Sequence, residues 1–143
     1  MNESTSLFDA VAARLVAEPN FAHLATVMRD GSPHVAPVWI QREGERLVLV
    51  KLDPSVALRN LERDPRLSIS VVDRENPYVA VHIRGRAVEL DRRSDHTARW
   101  LHALARRYTG EPHPLPLPTV AVVTVEPSRV SSRVSSARGE PGS

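Results

Sequence analysis

The chain has 143 residues, 41% of them hydrophobic and 25% charged, which fits one globular domain and leaves no room for two independent cores. Its formal net charge of +2 comes with no concentrated basic block, arguing against nucleic acid as a partner, and no apolar run reaches the roughly 20 residues that cross a bilayer. The absence of cysteine excludes disulfides, thiolate metal ligands and thiol nucleophiles, so any redox chemistry has to come from a bound cofactor.

The N-terminal stretch MNESTSLFDAVAARL carries acids ahead of its apolar residues and lacks a basic leading region. It does not read as a secretory signal, and the cytoplasm is the expected compartment. Ser6 followed by Asp9 reads as a helix start, and Leu7, Phe8, Val11 and Leu15 recur at helical spacing until Pro19, predicting an amphipathic helix over 6–18. His23 to Arg29 and Pro33 to Gln41 flank Asp30-Gly31-Ser32 and predict a β-hairpin. A turn at Glu43-Gly44 leads into the short β-branched run Arg46 to Lys51.

Asp53-Pro54 reads as an N-cap acid with proline at the first helical position, opening a short helix through Leu61 that stops at Asp64-Pro65. Leu67 to Val72 and Val79 to Leu90 are strand-like on either side of the polar stretch Asp73 to Pro77, with Gly85 a candidate bulge. Ala98, Leu101, Leu104, Ala105 and Tyr108 line one face of a helix over 94–108 that Gly110 ends. Pro112, Pro114, Pro116 and Pro118 alternate through an extended connection to a last strand, Val120 to Val125. One domain over 1–127 is expected, with 128–143 a flexible basic tail whose Ser, Gly and Pro content buries little surface. The order of elements predicts a mainly β fold: an antiparallel barrel of six to seven strands with helices in its connections.

Three segments, HLATVMRDGSPHVAPVWI, LRNLERDPRLSISVVDRENPY and VHIRGRAVEL, together resemble the pyridoxamine-phosphate-oxidase-like proteins, especially the actinobacterial branch that uses coenzyme F420. The resemblance spans Phe21 to Val125 and implies a split β-barrel of the flavin-binding kind. It further implies a homodimer with two sites, each holding a deazaflavin or, alternatively, FMN in a groove between subunits, and a small-molecule substrate.

Carried over residue by residue, the resemblance implies ring contacts at Ala36, Pro37, Val38 and Trp39, and an aromatic approach from the neighbouring subunit at Tyr78. A tryptophan in Trp39's strand setting is more often a core or dimer-interface residue, and Tyr78 also reads as a residue closing its loop. Relatives place a basic pair at the start of the helix after the third strand to hold the cofactor's phosphate. Counting back from Arg59, Asn60 and Leu61, those positions hold Ser55 and Ala57 here. Lys51 and the helix N-terminus offer a substitute, whereas Asp53 at the expected cap would repel an anion. Lys51 reads equally as a solvent-facing strand end. The cofactor-binding candidates are therefore Ala36, Pro37, Val38, Trp39, Lys51, Ser55, Arg59, Asn60 and Tyr78, with no assigned catalytic residue.

His23, His34, His82, His96, His102 and His113 show no metal-binding spacing. His34 and His82 could line the groove and move a proton, or could be hydrogen-bonded at a barrel edge. There is no G-x-S-x-G elbow, glycine-rich phosphate loop or dinucleotide fingerprint. The sequence thus reads as an oxidoreductase using reduced coenzyme F420 to reduce an electron-poor organic molecule. Its rivals are an FMN enzyme of the same fold and a non-catalytic binding dimer that has lost the phosphate clamp.

Overall fold

Why the chain closes on itself is visible at one residue. In the computed structural model, which describes residues 5–135, strand β2 (Pro33–Val38) ends at Val38 and strand β3 (Ile40–Glu43) begins at Ile40. Only Trp39 separates them, yet they occupy opposite edges of one seven-stranded sheet. The other strands are β1 (Ala22–Val27), β4 (Arg46–Leu52), β5 (Arg66–Val72), β6 (Val79–Asp91) and β7 (Val120–Val134), in the order β2-β1-β5-β6-β7-β4-β3. Every adjacent pair is antiparallel. Two edges joined through a single residue must lie side by side, so the sheet curls into a split barrel.

The hairpin turns follow their glycines: Gly31 at φ 89° and Gly44 at φ 64° adopt the left-handed conformation that other residues disfavour. Inside the curl, alternating strand residues such as Leu24, Leu47, Leu49, Ile69, Val81, Ile83 and Val123 are fully or almost fully buried. Helix α1 (Ala10–Ala17) adds Ala12, Leu15 and Val16 to the same core. Helix α2 (Val56–Arg63) packs Ala57, Leu58 and Leu61 against it. Helix α3 (Ser94–Thr109) ends at Gly110, φ 86°, a left-handed C-cap.

Both shorter helices start later than their sequence suggests. The α1 N-cap is Asp9, whose carboxylate accepts the Ala12 N–H at 2.8 Å, while the Ser6 hydroxyl turns to Glu45. The α2 N-cap is Ser55, whose hydroxyl accepts the Leu58 N–H at 3.2 Å. Asp53 is thereby released from capping, and its carboxylate receives Arg92 Nε at 2.8 Å instead. The run Pro33 to Gln41, expected as one strand, is two, because Trp39 marks the crossing from one sheet edge to the other.

The largest departure lies in the expected tail. Strand β7 does not stop at Val125 but continues to Val134, pairing with β6 from Asp91↔Val122 to Val79↔Val134. The repeat Arg-Val-Ser-Ser supplies alternation: Val130 packs against the core, and the Ser132 hydroxyl donates to both oxygens of the Asp9 cap at 2.6 and 2.9 Å. Positions 136–143 of the expected tail lie outside the described residues. The β6–β7 register shifts at Gly85, as its glycine suggests. A Cβ there would sit 2.4 Å from the carbonyl oxygen of Glu126, so this close strand approach admits glycine alone.

Candidate functional site

Where β2 hands over to β3, a cleft of about 380 Å³ opens against the side of α3, within the usual range of small-molecule sites. Pro37, Val38 and Trp39 form one wall, and Val50, Lys51 and Leu52 of β4 form another. Leu101 and Leu104 of α3, with His113 and Pro118 of the following connection, complete it, and Phe21 stands at its edge, 59% exposed. A 59%-exposed phenylalanine beside a 56%-exposed Leu52 presents apolar surface that a planar ligand or a protein face would cover.

Trp39 is fixed by two interactions from the end of α3. Its indole stacks on the Tyr108 ring, centroids 5.3 Å apart and planes 8° from parallel. The Tyr108 hydroxyl accepts the Ile40 N–H at 3.2 Å and donates to the Asn20 carbonyl at 2.9 Å. Next to it, the Arg107 guanidinium donates to the Ile40 carbonyl at 3.1 Å and to the Val16 carbonyl at 2.6 Å. The crossing point between the sheet edges is therefore clamped from both sides of its backbone by residues about 68 positions away.

Lys51 is the charged residue of the cleft. It is half-buried, and desolvation pulls its ammonium below the ordinary lysine range. Among the described residues its ammonium has neither an ion pair nor a side-chain hydrogen bond, an arrangement in which an incoming anion would supply the missing counter-charge. The negative charge expected to oppose such an anion is offset: Arg92 bridges Asp53 at 2.8 Å and Glu62 at 2.7 Å.

The structure brings together four of the sequence candidates, Pro37, Val38, Trp39 and Lys51. Ala36 precedes them on β2, paired with Leu24, outside the cleft lining. Ser55 spends its hydroxyl on the α2 cap, and Arg59 is exposed on that helix. Asn60 is buried, donating to the Thr26 hydroxyl at 3.0 Å and accepting from Arg63 at 3.0 Å, so it ties α2 to β1. Tyr78 lies at the far end of β6, 44% exposed, its carbonyl accepting the Ser135 N–H. Sequence reasoning does not single out Phe21, Leu101, Leu104 and His113 as cleft residues, nor Tyr108 as the ring that supports Trp39.

On the other flank of α3 a hollow of about 520 Å³ contains His96, Arg99 and Trp100. There Asp91 is 7% exposed and accepts from Arg93 and from His96 Nδ1, which hold its carboxyl far below the usual carboxylate range. Both its oxygens are thus committed to fastening the start of α3. Among the described residues no group of three or more His, Asp or Glu side chains is placed to hold a metal ion, and no helix is long and apolar enough to cross a membrane.

Among solved structures, one named F420 reductase is 30% identical, covering 82% of this chain and 94% of its own, with a TM-score of 0.75. A conserved hypothetical protein from Mycobacterium tuberculosis is 24% identical over 98% of this chain and 94% of that one, TM-score 0.73. General stress protein 26 from Bacillus anthracis shares the fold at 15% identity, covering 86% of this chain and 91% of that one, TM-score 0.66. Among curated proteins none matches. The family model for pyridoxamine 5'-phosphate oxidase matches residues 8–133, nearly the whole described barrel, and the chain belongs to that family.

Proposed function

We propose that the protein is an oxidoreductase that binds reduced coenzyme F420 in the cleft beside Trp39 and Lys51 and passes its electrons to an electron-poor organic acceptor. The observation that carries this reading is Lys51: a half-buried cation without a partner among the described residues, in a cleft whose lining, His113 apart, is otherwise apolar and bears an aromatic ring. A flat, anionic cofactor is the ligand class that such a set fits, its ring against apolar walls and its phosphate on the ammonium. The solved structure named F420 reductase supports the choice of coenzyme at 30% identity.

When bound, the deazaflavin supplies the hydride; the chain supplies placement. Val38 and Leu104, both buried, and the stacked Trp39 give a dry wall that keeps water from the reacting face. Lys51 holds the phosphate, and the α2 N-terminus lies a few residues beyond it along the chain. Arg92 keeps Asp53 and Glu62 from repelling that charge. We also propose a homodimer, since edge strand β2 exposes Val35 at 60% next to the cleft residue Pro37.

A second reading has its own observation: Ser55 and Ala57 stand where relatives carry a basic pair, the first committed to a cap and the second 2% exposed. On that reading the protein binds without catalysing. The two are separated by mixing the protein with coenzyme F420 or FMN, removing free cofactor by gel filtration, and measuring what co-elutes. One F420 per chain supports the proposal, FMN alone transfers it to a flavin enzyme of the same fold, and neither cofactor leaves the binding dimer.

A further inference from the structure

The repeat Arg129-Val130-Ser131-Ser132 carries more than the barrel requires of it. Side chains alternate along β7: Arg129 is exposed on one side of the strand, and the half-buried Ser132 turns to the other, where its hydroxyl donates to both Asp9 oxygens. Asp9 is at the same time the α1 cap, accepting the Ala12 N–H at 2.8 Å. The Ala12 N–H first and the Ser132 hydroxyl second hold the Asp9 carboxyl below its usual range, so it is an anion at neutral pH. A hydroxyl hydrogen thus ties the end of β7 to the start of α1. That end is open to peeling. Strand β4 pairs with β7 only from Val120 to Val125, so from Glu126 onward the described ladder lies on the β6 side alone. A chain end held by one ladder opens at lower free energy than the core.

We propose that Ser132 is a phosphorylation site for a serine kinase that selects arginine three residues before its target, and that the phosphate releases the end of β7 from α1. Kinases of this class bind their substrate extended and hold the upstream guanidinium on carboxylates. The segment from Arg129 to Ser132 is already extended, and Arg129 has no ion pair among the described residues. Ser132 Oγ attacks the γ-phosphorus of ATP: the Oγ–P bond forms and the bond from phosphorus to the bridging oxygen breaks. ADP leaves with that electron pair, and the hydroxyl proton passes to the kinase's aspartate. The donor to Asp9 is thereby replaced by a group carrying about −1.5 to −2 charges at pH 7. Carboxylate and phosphate then repel one another at the start of α1, and only one of them can take the Ala12 N–H. Asp9 belongs to the helix and stays, so the strand end leaves. The Arg42 guanidinium, over the Phe8 ring at 4.3 Å, is already committed to Glu45 at 2.7 Å. With the strand end go the partners of Val79 to Arg84 on β6 and the packing of Val130. The modification is independent of what the cleft binds.

The experiment uses the full chain with magnesium ATP and the catalytic domain of calmodulin-dependent protein kinase II, which selects arginine at this spacing. The same spacing recurs at Arg133 and Ser136, so fragment mass spectrometry locates the phosphate. It is expected on Ser132, absent from that position in Ser132→Ala, and added about ten-fold more slowly in Arg129→Ala. A chain synthesised with the phosphate already on Ser132 then reads the consequence. Its amides from Val79 to Arg84 and from Val130 to Val134 should exchange about ten-fold faster or more, while those of β4 keep their rates. Adding Asp9→Asn to that chain keeps a capping side chain and removes the like charge, so most of the protection should return. Phosphate on Ser136 alone or nowhere, or an Arg129→Ala rate equal to wild type, overturns the site. Unchanged exchange in the phosphorylated chain, or no recovery with Asp9→Asn, overturns the release.

Discussion

Trp39 and Tyr108, separated by nearly half the chain, lie in parallel contact with ring centroids 5.3 Å apart, and the Tyr108 hydroxyl holds the backbone of the next residue, Ile40. The end of α3 therefore sets the position of the aromatic wall of the cleft. Tyr108→Phe keeps the stack and loses the hydroxyl's bonds to Ile40 and Asn20, and its cost is expected at about 1–2 kcal/mol, measured by urea denaturation. Tyr108→Leu removes the stack as well. It should in addition weaken cofactor binding, because Trp39 loses the surface that orients it.

Arg92 is not one of the residues lining the cleft, yet it should affect anion binding. Bridging Asp53 and Glu62 from a 41%-exposed position, it contributes less than about 1 kcal/mol to stability. Arg92→Ala uncovers the carboxylates of Asp53, just ahead of α2, and of Glu62, in its last turn. The expected outcome is a several-fold rise in the dissociation constant for coenzyme F420 at low ionic strength, shrinking as salt is added, with an almost unchanged melting temperature.

Lys51 gives a pH dependence whose sign is fixed by its environment. Burial disfavours the ammonium, so its folded pKa lies below the unfolded value. Between the two values the unfolded chain binds more protons, and stability rises with pH across that window. Anion binding runs the other way: it needs the ammonium, so affinity for the cofactor falls as pH rises through the lowered pKa, and binding there takes up a proton. Calorimetry in two buffers of different ionisation heat measures that uptake, which Lys51→Met should abolish.

Deleting everything after Pro127 tests whether the end of β7 is structural. The deletion removes the β6 partners of Val79 to Arg84, the packing of Val130 and the Ser132 bonds to the α1 cap. A loss of about 1 kcal/mol already lowers Tm by a few degrees in a domain of this size, and a larger drop is expected. An unchanged melting curve would return the segment to the status of a loose tail.

Much of the barrel could be read from local pattern. Asp30-Gly31 and Glu43-Gly44 announce their turns because only glycine tolerates the left-handed backbone there, and α3 declares itself through helical spacing and a glycine stop. Helix starts were less legible, since Ser6, Asp9, Asp53 and Ser55 are all competent caps and the choice is made by distant partners, Glu45 for Ser6 and Arg92 for Asp53. The strand end from Ser128 to Val134 looked like a solvated tail because its composition is polar; its order comes from β6 beside it. In the cleft, Trp39 and Lys51 stood out through the family resemblance. His113 in the cleft and Tyr108 stacked on Trp39 did not, because such neighbours depend on chain crossings that no local spacing records. Asn60, taken for a cofactor contact, is occupied by Thr26 and Arg63.

The proposed cofactor site stands or falls with Lys51 as the holder of an anionic group in the cleft beside Trp39. Its most direct test is calorimetric titration of coenzyme F420 into the wild type, Lys51→Arg and Lys51→Ala at pH 7. One site per chain is expected, with a loss of about ten-fold or more in affinity for Lys51→Ala, the scale of a charge-assisted hydrogen bond, and substantial recovery in Lys51→Arg. Equal affinities in all three proteins, with folding intact, would contradict it.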